Sequence, residues 1–369
     1  MTSRNLALLA LITAAALVLR LCGVGFLLPQ MTESDSRVLH QQVMHLERGD
    51  EHPERDRNFG FYPLLIARVT ALAFDPEPAR ETTTSLDEHL RRAASSHVHV
   101  RLVGAALSVL IVPATWLLAR YFLAEGAALL AAAFMATSTL HLWFAQQGRP
   151  HSAAAAFGLL AVLCAVRLRR SMEPLALLAA AGALGLAVGS LESGVATIPA
   201  FAVAFFLRDQ GVRRPAIAWS ALALSILGFC LWSFYPFLFA PSTGRDAATL
   251  AVRGRTLDLF GHQIFLDQFR GAGFARMFAA MRDYEPWIAG LAILGLAIGL
   301  VGCAARKWPE PWKDLAVVLA HAIPYALVAC LYARTYQRFA MPLVPYVCIL
   351  AAYAVGRISA RLPAARTAV

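Results

Sequence analysis

Charged side chains are scarce in this sequence. Asp, Glu, Lys and Arg make up 15% of its 369 residues, whereas 59% are hydrophobic. Soluble domains carry about 25% charged and roughly 45–50% apolar residues, so a soluble globular domain is excluded. Cysteine is also sparse. Cys22, Cys164, Cys230, Cys303, Cys330 and Cys348 each sit inside an apolar run, and none forms a CxxC pair. That excludes a disulfide framework and a cysteine zinc site, and the thiols read as small core residues. GxxxxGK[ST], GxGxxG and HExxH are all missing, which removes the P-loop, dinucleotide-fold and zincin readings. No repeat has a fixed period, and no tract is of low complexity beyond an Ala/Leu bias. Acidic residues are fewer than basic ones, giving a net charge of +10. In a membrane protein such an excess collects on cytoplasmic loops, so nucleic acid is not expected as a partner.

What is present is a series of apolar runs near the roughly 20 residues that cross a bilayer. They predict an all-α, polytopic helical membrane protein, read as a single integral membrane domain over 1–369. Ten spans are expected, at about 6–27, 100–122, 124–144, 152–168, 174–191, 194–207, 215–239, 287–304, 315–332 and 339–356. The fifth and sixth are short, as a broken or re-entrant pair would be. The first run is long enough to remain as an anchor, so no cleaved signal peptide is expected.

The turns give an orientation. Arg120; Arg167, Arg169 and Arg170; Arg208, Arg213 and Arg214; Arg306, Lys307 and Lys313; and the tail's Arg357, Arg361 and Arg366 alternate with basic-poor turns. By the positive-inside bias these basic turns and both termini are expected in the cytoplasm. Two long segments, 28–99 and 240–286, then face outward from the plasma membrane.

The outer segments carry helical signals. Thr32-x-x-Asp35 can open a helix and Gly49 can close it. Asp35, Val38, Leu39, Gln42, Val43 and Leu46 share one apolar stripe along it. Ser85-x-x-Glu88 is a capping box for a helix running through Arg101 into the second span. The mixed apolar and basic segment 255–285 predicts an interfacial helix.

Polar groups converge on the outer level in this topology. The first loop supplies Glu33, Asp35, Arg37, His40 and Tyr62. Arg101 opens the second span, and the turn after the third supplies His141, Trp143, Gln146, Gln147, Arg149 and His151. The fifth-to-sixth turn supplies Glu192, and the turn before the last span supplies Arg334, Tyr336 and Arg338. Carboxylate, guanidinium and aromatic groups at one depth suit a phosphorylated amphiphile, because Arg grips phosphate bidentately. Each also has a plainer reading. Asp35 would serve as a helix cap, Arg334 and Arg338 would snorkel to head groups, and Trp143 and Tyr62 would anchor at the interface. His97 and His99 would hold a metal only with further ligands. Glu192 at membrane depth is the hardest to read as bland.

Four passages change these weights. Ser34-Asp35-Ser36 stands fourteen residues before Gly49-Asp50 and is followed by Phe61-Tyr62-Pro63. Val100-Arg101-Leu102-Val103-Gly104-Ala105 opens the second span. Ala131-Ala132-Ala133-Phe134 runs through His141 to Gly148-Arg149-Pro150-His151. Tyr336-Gln337-Arg338-Phe339-Ala340-Met341-Pro342-Leu343-Val344-Pro345 precedes the last span. In this order the passages resemble the GT-C class of membrane glycosyltransferases, in particular bacterial relatives of protein O-mannosyltransferases and lipid A aminoarabinose transferases. The departures are Ser36 for the usual Glu, His151 for the Asp of Arg-Pro-Asp, and Glu192 in place of a Lys-containing turn.

The resemblance implies an inverting hexosyl- or pentosyltransferase acting at the outer face. Its donor would be a polyprenyl-phosphate-linked sugar, and its acceptor a protein, lipid or glycan. Asp35 matches the family's catalytic aspartate. Glu33, Arg37, His40, Tyr62, Arg101, Arg149, His151, Glu192, Arg334, Tyr336 and Arg338 are the expected substrate-binding residues, with Arg149, Arg334 and Arg338 nearest the lipid phosphate. Assistance by a divalent cation is left open. The alternative is a carrier, flippase or polymerase for lipid-linked saccharides. Such a transporter would more usually show repeated halves and polar groups near midplane.

Overall fold

The computed structural model describes residues 2–28, 36–47, 63–74, 85–171, 173–209, 256–259, 262–305 and 311–361. Glu33, Asp35, Tyr62 and the expected span 215–239 lie outside these residues, as do the side chains of Arg37 and Glu192.

The chain opens with α1 (Ser3–Leu21), started by Thr2, whose hydroxyl accepts the Asn5 N–H. Next come α2 (Ser36–Glu47) and α3 (Leu65–Ala73). The helix expected from Ser85 is α4 (Leu86–Ser108), and with α5 (Ile111–Ala119) it forms one span, Ala94–Ala119. The third expected span is two helices, α6 (Glu125–Thr137) and α7 (Thr139–Ala145), bent by 48°. Ser138 causes the break by starting a new helix, its hydroxyl accepting from His141 N–H. Glu285, far away in sequence, accepts from both Ser138 Oγ at 2.6 Å and Leu140 N–H at 2.8 Å.

The central element is α8 (His151–Arg170), with 78% of its span buried in the molecule. A run of alanines, Ala153 to Ala156 with Ala161 and Ala165, lets neighbouring backbones approach it closely. It packs against α4, α5, α9 (Pro174–Ser190) and α10 (Ile198–Phe206). The 3-10 turn Glu192–Thr197 joins the last two, which are short apolar helices, as expected for a broken pair.

The segment expected as an interfacial helix is different in its first half. Thr256–Leu259 (β1) and His262–Phe265 (β2) form an antiparallel hairpin pairing Thr256 with Phe265. Only then comes an amphipathic helix, α11 (Gly273–Tyr284), bent by 115° from α12 (Pro286–Ala305). The bundle closes with α13 (Trp312–Leu331), the 3-10 segment Gln337–Leu343, and α14 (Val344–Ser359). At the crossing of α12 and α14, a Cβ on Gly295 would clash with the Leu350 carbonyl.

Nine of the ten expected spans thus fall on apolar helices, all but 215–239. Among the described residues five helices are long and apolar enough to cross a membrane alone, or up to seven if each bent pair is one span.

The two ends of α8 define the two ends of the bundle. Its 20 residues rise about 30 Å, the thickness of a hydrocarbon core. At the end beginning with His151 lie the turns around 192–197 and 333–343. At the other end the expected basic turns meet. Buried Arg169 bonds Asp314 at 2.7 Å and Asp209 at 2.6 Å, Arg170 also bonds Asp314, and Lys313 lies 3.7 Å from Asp209. Arg170 also covers the Tyr121 ring. Residues from four expected cytoplasmic turns therefore occupy one end, as alternation of the spans requires.

Candidate functional site

The site is built on the first turn of α8. His151 is buried, and its Nε2 lies 3.2 Å from Arg338 Nε. Arginine can only donate, so this His151 nitrogen is the acceptor of the pair. The pair fixes the half-buried Arg338. Its guanidinium carbon lies 4.3 Å from the Tyr336 ring centroid and 5.5 Å from that of Phe339. Stacking and this directed hydrogen bond help to hold the group in plane, as guanidinium recognition of phosphate demands.

A cavity of about 20 Å³ opens beside this pair, room for one water molecule. It is lined by His151 from α8, Leu191, Ser193, Gly194 and Thr197 from the turn between α9 and α10, His321 and Tyr325 from α13, and Arg338 and Pro342 from the last turn. Three of the expected polar turns therefore share one wall. Glu192 contributes its backbone to the same 3-10 turn. His321 is buried, with Nδ1 3.0 Å from the Ala196 carbonyl.

A second column links the first loop to the bundle. His40 on α2 is buried, stacks on His97 of α4 at 4.0 Å, and bonds Ser96 Oγ through Nδ1 at 2.9 Å. Burial pushes the His40 imidazole down to about 4, so it is neutral at physiological pH. One turn along α4 is the buried Arg101. Its Nη1 donates to the carbonyls of Val24 at 2.9 Å and Phe26 at 2.8 Å. These belong to the turns leaving α1, where Leu27 takes a φ of 60°. A left-handed leucine is strained, and Arg101 holds the chain there, just before the segment carrying Glu33 and Asp35. The columns meet at Gly104, where an added Cβ would lie 3.8 Å from the Arg149 carbonyl.

Other expected residues are placed differently. Arg334 is exposed and covers the Phe265 ring of the hairpin at 4.1 Å, away from His151. His99 stacks on Phe74 rather than beside His97, and among the described residues no group of three or more His, Cys, Asp or Glu could hold a metal ion. Trp143 is exposed, which fits the anchoring reading.

Several contributors escaped the sequence reading. Arg276 of α11 donates to the carbonyls of Ala333 at 2.7 Å and Thr335 at 2.9 Å, bracing the turn that presents Tyr336 and Arg338. Tyr284 adds a bond to Gln337 at 3.2 Å. Arg20, fully buried on α1, reaches His141 Nδ1 at 3.2 Å. A cation inside the first apolar run was the available signal for Arg20. The role of Arg276 had no signal beyond its charge.

Comparison with known proteins agrees with this architecture. A family model, dolichyl-phosphate-mannose-protein mannosyltransferase, matches residues 37–238. No curated protein sequence matches the chain. Among solved structures, ArnT from Cupriavidus metallidurans bound to undecaprenyl phosphate is similar at a TM-score of 0.59 and 16% identity, over 94% of this chain and 60% of that one. An oligosaccharyltransferase from Archaeoglobus fulgidus, tethered to an acceptor peptide, is similar at 0.58 and 12% identity, over 98% of this chain and 50% of that one. The chain thus spans 60% and 50% of these two solved chains, and it shares the GT-C membrane fold with them.

Proposed function

From the premise that the chain belongs to the dolichyl-phosphate-mannose-protein mannosyltransferase family, we propose that it moves a sugar from a polyprenyl-phosphate donor to an acceptor at the outer face of the plasma membrane. The acceptor hydroxyl attacks the anomeric carbon from the side opposite the phosphate. The bond from that carbon to the phosphate oxygen breaks, and the polyprenyl phosphate leaves with the electron pair. Asp35 takes the hydroxyl proton as general base. The outer edge of the Arg338 fork neutralises the departing phosphate, with Arg149 nearby on the chain that precedes α8. Inversion at the anomeric carbon follows from a single displacement. The undecaprenyl phosphate named with the ArnT structure supports a lipid-phosphate donor here.

The observation that carries this reading is the arrangement of Arg338. A half-buried guanidinium bonded to a buried histidine and stacked on tyrosine is oriented more tightly than a snorkelling arginine needs. Incubating membranes that contain the protein with labelled polyprenyl-phosphate sugars of several kinds tests it. One donor should release polyprenyl phosphate in step with sugar appearing on an acceptor. Movement of intact donor across the bilayer without release would instead identify a flippase.

A further inference from the structure

At the end of the bundle opposite the His151–Arg338 cavity, α5, α8 and α9 part to leave a groove of about 560 Å³. This is within the range of small-ligand sites. Three arginines line it, Arg120 at the end of α5 and Arg167 and Arg170 in the last turn of α8, and among the described residues no acidic side chain lines it. Two of the arginines have a fixed attitude. Arg120 lies 4.7 Å over the Trp116 ring and 3.0 Å from Glu125. Arg170 lies 4.7 Å over Tyr121 and bonds Asp314. Arg167 has the loosest partner, Glu173 at 3.8 Å, and is 63% exposed. Cations at helix C-termini also oppose the helix dipole favourably, so they are stable there before any ligand arrives.

The rest of the groove is apolar. Leu117, Leu163 and Ala179 continue it toward the middle of the bundle, while Leu175, 75% exposed, stands on the first turn of α9 beside the arginines. A guanidinium cluster at the depth where hydrocarbon meets water, above an open leucine wall, matches a molecule with an anionic head and an apolar tail. A free phosphate would use only the upper half. A zwitterionic choline head would bring its own cation against three arginines.

We propose that this groove binds an anionic phospholipid of the leaflet at that end of the bundle. Arg120, Arg167 and Arg170 hold its phosphate, and an acyl chain lies along Leu117, Leu163 and Ala179. The site is separate from the transfer reaction and stands or falls without it.

Hydrogen exchange on the full-length protein in phosphatidylcholine nanodiscs, titrated with phosphatidylglycerol, tests this. Phosphatidylglycerol should protect 117–121 and 163–176. The double variant Arg120→Gln/Arg167→Gln should need roughly thirtyfold more of it, about fivefold for each lost arginine. Arg91→Gln, which removes an exposed charge on α4, should behave as wild type. The proposal is overturned if phosphatidylcholine alone gives the same protection, if inorganic phosphate matches the lipid, or if the folded double variant keeps wild-type affinity. Should that variant fail to fold, the wild-type lipid and phosphate arms decide by themselves.

Discussion

Arg338 Nε and His151 Nε2 lie 3.2 Å apart, 187 residues apart in sequence, with the arginine donating. The bond joins the first turn of the most buried span to the turn before the last one. The histidine orients the guanidinium by accepting from its Nε.

His151→Phe keeps the aromatic volume but removes the acceptor. A hydrogen bond to a charged group contributes about 1.5–3 kcal/mol. The donor KM should therefore rise roughly tenfold or more, with a smaller change in kcat. Arg338→Lys, which keeps charge and loses the fork, should do the same, and His151→Asn should recover part of the loss. An unchanged donor KM in all three would return Arg338 to a snorkelling role.

Acid should loosen α2 before it loosens the bundle. His40 is held neutral by burial, and its value falls from 6.5 to about 4. Between those values the unfolded helix binds a proton that the docked helix does not. Docking is therefore fully stable above about pH 6.5 and weakens as pH falls toward 4, by about 3 kcal/mol at most. Amide exchange across Ser36–Glu47 measures it. Protection should drop over that window in the wild type and drop less in His40→Gln, where the stacked His97 remains. A pH-independent profile in the wild type would contradict the buried neutral imidazole.

Much of this was legible from residue pattern, and the remainder has physical reasons. The apolar stripe did mark the buried face of α2 at Leu39, Gln42 and Val43, with Val38 half-buried. The helix expected after Ser85 does begin there, α4 starting at Leu86. The bend at Ser138 was hidden, since Thr137-Ser138-Thr139 is only weakly helix-breaking and the deciding group, Glu285, comes from 147 residues away. The hairpin was misread as helix because a strand of four residues holds too few positions to separate period 2 from period 3.6. Arg334 and Arg338 looked alike in sequence. Only the fold sends one to Phe265 and the other to His151.

Topology is open to direct labelling. Ser171 follows α8 at the end that holds Asp314 and Arg169, and Tyr336, 51% exposed, lies at the other end of α13. In a cysteine-free background, Ser171→Cys should react with impermeant maleimide only from the cytoplasm, and Tyr336→Cys only from outside. Reaction of both from one side would reject the arrangement.

The central claim is that Asp35 removes the acceptor proton, and Asp35→Asn tests it most directly. Asn caps a helix about as well as Asp, so a capping role predicts little change in either folding or rate. It cannot accept a proton, and loss of a general base typically slows a reaction about 10²–10⁴-fold. The measurement is the rate of polyprenyl-phosphate release by purified Asp35→Asn protein beside wild type, at equal amounts of folded protein and saturating donor. The account predicts a fall of at least about a hundredfold with donor binding retained. Release at close to the wild-type rate would contradict it and move the role to another carboxylate, Glu33 first.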